Sequence, residues 1–217
     1  PNRTLVTGNP IRAAFFSEQP QPEKTDASFT ILVFGGSQGA HAINRLASEA
    51  LEHLAHMKDR LRFIHQTGEK DREWVEASYR EKGFRAEVFA FITEMAGAYR
   101  QADLLICRAG ATSIAEITAG GKAAILIPFP FAVGDHQTQN AAVLSRAGAA
   151  EMVAEKDCTG ERLATMIARL SRDRKAVRKM ESAAMALGNR RAAKDIVDCC
   201  LALAHDRQAA ACTRGKR

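Results

Sequence analysis

Thr30-Ile31-Leu32-Val33-Phe34-Gly35-Gly36-Ser37-Gln38-Gly39-Ala40 is the stretch whose reading decides the fold. The first five residues form a short, β-branched and aromatic run closed by glycines, which reads as a strand. Its apolar residues are continuous rather than alternating, as in a strand covered on both faces. The glycines permit a tight turn, and a helix follows to about His56. The start of that helix offers free N–H groups and a positive dipole end, which suit a phosphate. Taken alone, the loop is equally well a generic strand-to-helix turn.

The same unit recurs outward from this point. Leu61–Gln66 reads as a strand, followed by Thr67-Gly68 and a polar helix; Arg85–Ala90 is a further strand. Asp103–Arg108 is a strand followed by Ala109-Gly110-Ala111 and a helix. Ala123–Pro128 leads through a loop to a helix from about Gln137, Ala149–Val153 is a last short strand, and helices fill the rest to about His205. Strands alternating with helices predict an α/β fold, a Rossmann-like parallel sheet with helices on both faces. In such a sheet the ligand lies outside the carboxyl ends of the strands, where the strand order switches. The expected organisation is an irregular lead-in over 1–28, rich in proline, one domain over 29–205, and a disordered tail over 206–217.

Composition narrows the function classes. The length of 217 residues suits one large α/β domain with a proper core. The net charge of +6 collects in Arg169, Arg172, Arg174, Lys175, Arg178 and Lys179 and in the tail. No basic stripe with interleaved aromatics accompanies it, so it reads as basic surface and not as a nucleic-acid interface. Five cysteines, an odd number without a Cys-x-x-Cys pair, argue against a disulfide framework and against zinc, and the six histidines lack metal-ligand spacing. No metal or cofactor is expected, and a reducing cytosol fits. The longest apolar stretch, Ala123 to Val133, is broken by Pro128 and Pro130 and falls short of the roughly 18 residues a membrane span needs. There is no signal segment at the start, and the chain, which opens on Pro1, reads as a piece of a longer protein.

The residues after the other strands sharpen the picture. Gly-Gly-x-x-Gly is not the dinucleotide spacing, and the next strand ends in His65-Gln66-Thr67 with no acid for a ribose of NAD. No P-loop string occurs either. Ala109-Gly110-Ala111-Thr112-Ser113-Ile114-Ala115-Glu116 supplies a second helix start behind a glycine. Two such starts together would cradle a diphosphate, and Glu116, on the face of Thr112, would accept hydrogen bonds from a ribose diol. Ser113-x-x-Glu116 is also a capping box, which needs no ligand. The long loop from Pro128 to Asn140 offers Asp135, His136 and Gln137 to sugar hydroxyls, or is a Pro-rich turn with Asp135 capping the next helix.

Together the loops resemble one family, the undecaprenyl-diphospho-muramoylpentapeptide N-acetylglucosaminyltransferases (MurG). The resembling pieces are Gly8-Asn9-Pro10-Ile11-Arg12, Gly35 to Ala40, His65-Gln66-Thr67-Gly68, Phe91-Ile92, Cys107 to Glu116, and Asp135 to Asn140, spread over about residues 5 to 200. The resemblance implies the carboxyl-terminal, donor-binding half of a two-domain GT-B enzyme that moves N-acetylglucosamine from UDP-N-acetylglucosamine to lipid I. It implies that Arg12 and Ser37 contact the donor nucleotide and that the backbone of Ile92 reads the uracil. It further implies that the amides of Ala111, Thr112, Ser113, Ile114 and Ala115 hold the phosphates, that Glu116 holds the ribose, and that Gln137 meets the sugar. The family's proposed catalytic histidine belongs to an amino-terminal half, so no catalytic residue is assigned here and the fragment alone is expected to be inactive. His65 reads as a strand-end structural histidine. The same resemblance implies a peripheral place on the cytoplasmic membrane surface. A UDP-N-acetylglucosamine 2-epimerase and a non-catalytic nucleotide-sugar-binding module are the alternatives.

Overall fold

The computed structural model describes residues 4–16 and 28–214, with side chains to 204. The chain order is β1 (Phe29–Phe34), α1 (His41–His53), β2 (Leu61–Gln66), α2 (Arg72–Lys82), β3 (Arg85–Phe89), α3 (Met95–Gln101), β4 (Leu104–Cys107) and α4 (Ala111–Gly120). It continues with β5 (Ala124–Leu126), α5 (His136–Arg146), β6 (Ala150–Met152), α6 (Gly160–Arg172), α7 (Arg174–Leu187) and α8 (Ala192–Arg214). The six strands are parallel in the order β3-β2-β1-β4-β5-β6, so the order reverses between β1 and β4.

β1 is buried along its whole length. Successive side chains of a strand point to opposite faces, and β1 feeds two cores accordingly. Ile31 and Val33 pack with Leu46 and Leu51 of α1 and Ile167 and Leu170 of α6. Leu32 and Phe34 pack with Tyr99 of α3, Ile117 of α4 and Leu144 of α5. At the opposite end of the sheet, Asp103 accepts from the Thr30 N–H at 2.8 Å and pairs with Arg174 at 2.8 Å, and the Arg174 guanidinium lies over Phe29. One member of the basic run is therefore a structural clamp.

In the bounds of its elements the structure differs from the sequence reading in three places. α3 was not expected: seven residues with Gly97 among them are too short to show helical periodicity. The described part of the lead-in, 4–16, is docked on the domain. Asn189 donates to the Thr7 carbonyl at 2.8 Å, Arg100 to the Ala14 carbonyl at 3.2 Å, and Phe15 is buried edge-on against Tyr99 with ring centroids 5.1 Å apart. α8 runs to Arg214, into the stretch read as a tail, while 1–3, 17–27 and 215–217 lie outside the described residues.

Two glycines lock the loops behind β1 and β2 together. Gly39 has φ +75° and a Cβ there would sit 1.9 Å from the Thr67 carbonyl oxygen; Gly68 has φ +79° and would meet the Gln38 carbonyl oxygen at 2.4 Å. Gly83, the left-handed cap that ends α2, has φ +72°, and a Cβ there would meet only Lys58 Cδ, at 4.0 Å. Gly83→Ala should therefore cost only the backbone conformation, about 1 kcal/mol. Gly39→Ala and Gly68→Ala must also push two backbones apart and should cost at least twice that. Urea unfolding of the three variants checks the order, and equal losses would show that the loops yield freely.

Candidate functional site

Phe34 at the end of β1 is paired with Cys107 at the end of β4. The loops Gly35–Ala40 and Arg108–Gly110 thus leave the sheet side by side, where the strand order reverses. α1 starts behind Ala40 and α4 behind Gly110, and neither residue has a side chain that can cap a helix. The first-turn amides of both helices carry no side-chain cap, so two positive helix ends stand behind neighbouring strand ends. Ala111 and Thr112 are exposed at the α4 start, and Ser37 is exposed on the glycine loop.

The capping box is overturned. α4 begins at Ala111, two residues before Ser113, so Ser113 and Glu116 are both interior to the helix. A glycine N-cap leaves no polar signature, and Ser113 is the residue whose spacing to Glu116 matches the box. Glu116 instead faces Tyr99, whose hydroxyl donates to Oε2 at 3.3 Å. Burial raises the Glu116 carboxyl above its usual range, opposed by the Tyr99 hydrogen bond and by the Arg12 guanidinium. Arg12 sits over the Phe15 ring. The lead-in therefore brings Arg12 within electrostatic reach of Glu116, 104 positions away in sequence, and Asn9 reaches Thr112 Oγ1 at 3.4 Å.

Gln137 is a bridge between loops. Its Oε1 accepts from the Ala109 N–H at 3.2 Å and the Phe129 N–H at 3.0 Å, which leaves its Nε2 without a partner among the described residues. Asn140 donates to the Ala109 carbonyl at 3.0 Å. Arg108 is buried, donates to the carbonyls of Ile127 and Pro128, and pairs with Glu155 at 2.5 Å. The loop behind β5 is thereby pinned to the loop behind β4. Asp135 stands at the start of α5 with φ +54°, but its side chain makes no capping hydrogen bond. A cavity of about 900 Å³ opens on the other side of this loop, among Arg45, Pro130, Phe131, Lys156 and Thr159. None of Arg12, Ser37, Ile92, Glu116 and Gln137 lines it.

Ile92 follows β3, and its N–H donates to Gln66 Oε1 at 2.7 Å, while Gln66 Nε2 donates to the Gly36 carbonyl at 2.9 Å. Sequence reasoning quoted Gln66 without a role, and likewise missed Tyr99, Asn140 and Arg108. Each acts on a backbone group or side chain distant in sequence, which no local pattern reveals. Among the described residues no cluster of three His, Cys, Asp or Glu could hold a metal.

His65 is fully buried. Asn44 spends both amide hydrogens on the Thr67 carbonyl and Asp71 Oδ2, so its Oδ1 accepts from His65 Nε2 at 3.1 Å, and Tyr79 donates to His65 Nδ1 at 3.0 Å. The ring is neutral and enclosed, which fits a structural histidine.

The chain matches the family model described as the glycosyltransferase family 28 C-terminal domain over residues 30–198. It is 59% identical over 201 residues to a UDP-N-acetylglucosamine–N-acetylmuramyl-(pentapeptide) pyrophosphoryl-undecaprenol N-acetylglucosamine transferase of Syntrophus aciditrophicus, covering 93% of this chain and 56% of that protein. A Geobacter metallireducens protein of the same name is 51% identical, with 90% and 55% covered. The crystal structure of Acinetobacter baumannii MurG superimposes with a TM-score of 0.74 at 36% identity, over 81% of this chain and 50% of that one. The chain spans about half the length of the curated relatives it matches.

Burial holds the folded His65 pKa down to about 3, against an ordinary 6.5, with Asp71 pulling weakly the other way. As pH falls below about 6.5 the unfolded chain gains a proton that the folded one refuses, so stability present at neutral pH is lost progressively toward pH 3. One proton sets a limiting slope of about 1.4 kcal/mol per pH unit. Denaturant unfolding across this window, compared with His65→Gln, should show the extra slope only in the native sequence.

Proposed function

The chain belongs to the glycosyltransferase family 28 C-terminal domain family, and from that premise we propose that it is the donor-binding half of an enzyme that transfers N-acetylglucosamine from UDP-N-acetylglucosamine to lipid I. The observation that carries this reading is the pair of uncapped helix starts set side by side at the switch point, with Glu116 and Arg12 beside one of them. The first-turn amides of α4 and the dipoles of both helices would hold the diphosphate, with Ser37 on the glycine loop. Glu116, with one carboxylate oxygen left over from Tyr99, would take the ribose diol. Ile92 would meet the uracil and the free Nε2 of Gln137 the sugar.

The reaction is an inverting displacement. A base in the other half would deprotonate the 4-hydroxyl of the muramoyl sugar, and that oxygen would displace UDP from the anomeric carbon. The helix starts and Arg12 would stabilise the charge that gathers on the departing diphosphate. No helix among the described residues is long and apolar enough to cross a membrane, and the acceptor would be met from the cytoplasmic membrane surface. A Listeria monocytogenes UDP-N-acetylglucosamine 2-epimerase shares the architecture at a TM-score of 0.59, but 13% identity speaks to fold alone.

Calorimetry with UDP, UDP-N-acetylglucosamine, ADP and NAD tests the donor site, and equal or tighter binding of NAD ends the proposal. With the capping box gone, Glu116→Gln isolates the ribose role. Gln still accepts from Tyr99, so the melting temperature should hardly move. Loss of a charge-assisted hydrogen bond should weaken UDP by about tenfold or more. 2′-Deoxy- or 3′-deoxy-UDP should bind the native protein poorly and lose little further in the variant. Losses that simply add would show that Glu116 does not touch the ribose.

A further inference from the structure

The cavity of about 900 Å³ behind β5 shares no lining residue with the donor crevice. It lies between the loop from Pro128 to Thr138, the turn from Met152 to Thr159 and the flank of α1. Its volume is that of a small-ligand site. Pro128 and Cys158 are buried in its wall, and Met152 and Ala154 are half-buried.

Two cations and three carboxylates line it. Arg45 pairs with Glu49 at 2.6 Å, and Glu155 with Arg108 at 2.5 Å. One group of each sign is left over, Lys156 and Asp135, and among the described residues neither side chain has a partner. Asp135 holds the N-cap position of α5, where aspartate is a preferred cap, yet its side chain caps nothing. Gly134 and Asp135 are both left-handed, at φ +62° and +54°, whereas a capping residue sits in the extended region. That conformation is uncommon for a residue with a side chain. The turn so formed gives the acid to the cavity and not to the helix.

We propose that this cavity is the subsite for the peptide carried by the acceptor sugar, with Lys156 on a peptide carboxylate and Asp135 on a peptide ammonium. The inference rests on the transferase reading above and extends it to the acceptor side. In that reading the donor sugar lies at Gln137 Nε2, and Thr138, the next residue of α5, lines the cavity. The peptide of a muramoyl sugar hangs from the oxygen at the 3-position, beside the 4-hydroxyl that reacts. It therefore leaves the reacting centre close to Gln137. A polyanion is a poor occupant, because three carboxylates stand in the wall, so the diphosphate of the acceptor would lie elsewhere. A peptide bearing both signs of charge matches the two groups left over, and its apolar parts match Pro128, Met152 and Ala154. Holding the peptide there would orient the 4-hydroxyl toward the anomeric carbon.

The probe is a water-soluble N-acetylmuramoyl pentapeptide with a free carboxyl end and one lysine, set beside N-acetylmuramic acid without peptide. NMR shifts of this chain are followed in the presence of UDP. The muramoyl peptide should shift Thr138, Met152, Lys156 and Thr159, and the bare sugar should not. Lys156→Gln and Asp135→Asn should each weaken the peptide by about threefold at low salt, the worth of an exposed ion pair. Asn tolerates the left-handed turn, so the melting temperature of Asp135→Asn should stay in place. Amidating the carboxyl end should weaken binding to the native protein and add nothing in Lys156→Gln. Acetylating the lysine should behave in the same way toward Asp135→Asn. Losses that add in both cycles would overturn the inference. So would equal shifts from the bare sugar, or no shift at the cavity while UDP binds, and the cavity would then be a surface for the rest of the longer protein. A chain that does not bind UDP would instead remove the reading beneath the inference.

Discussion

Phe34 beside Cys107 is the pairing on which the site depends. Because β1 and β4 are neighbours and run in the same direction, their loops emerge at one level, and the helices that follow must turn away to opposite faces of the sheet. α1 joins the core with α6, and α4 joins the core with α3 and α5. Two helix starts are left behind adjacent strand ends, and the residues at those starts, Ala40 and Gly110, have no side chain with which to cap them. By contrast α6 and α7 are capped by Thr159 and Asp173. α2, α3 and α5 also start without a side-chain cap, so what sets α1 and α4 apart is their place behind paired strand ends at the switch point.

A crevice of backbone amides is useful only if the loops hold still. Here a small set of buried and half-buried polar side chains does that. Gln66 joins the loops behind β1 and β3, Gln137 and Asn140 join those behind β4 and β5, and Arg108 fixes the loop behind β5 to Glu155. Asn44, His65, Tyr79 and Asp71 form a similar network under the loop behind β2. Hydrogen bonds between such groups resist movement, since breaking one strands a donor or acceptor in a low dielectric. The residues that would touch a ligand are thus placed by others that would not, which is how a precise site is built on loops.

The lead-in shows the same principle at the edge of the domain. Residues 4–16 are irregular, yet they are held by Asn189, Arg100 and the Phe15–Tyr99 contact, and they deliver Arg12 to Glu116. Tyr99 has two duties, packing against Phe15 and Phe34 and donating to Glu116. A change at either aromatic would therefore be felt at the carboxylate.

The sequence alone determined the architecture, because continuous apolar strands ending in glycine have few other solutions. Ile31 to Phe34 and Leu104 to Cys107 announce strands covered on both faces, and alternation with helices implies a parallel sheet. It also singled out the loops behind the strands, where ligands bind in such sheets. What it left open was every question about which partner a polar group chooses. Ser113 and Glu116 have the spacing of a capping box, but Gly110 is the N-cap and the helix begins at Ala111, and Glu116 turns to a tyrosine 17 residues earlier. Ile92 looks like a free peptide until Gln66 is seen to hold its N–H. Hydrophobic pattern is local and periodic, so it survives in one dimension. Hydrogen-bond partnership is decided by which strand ends the sheet order brings together, and only the tertiary structure sets that.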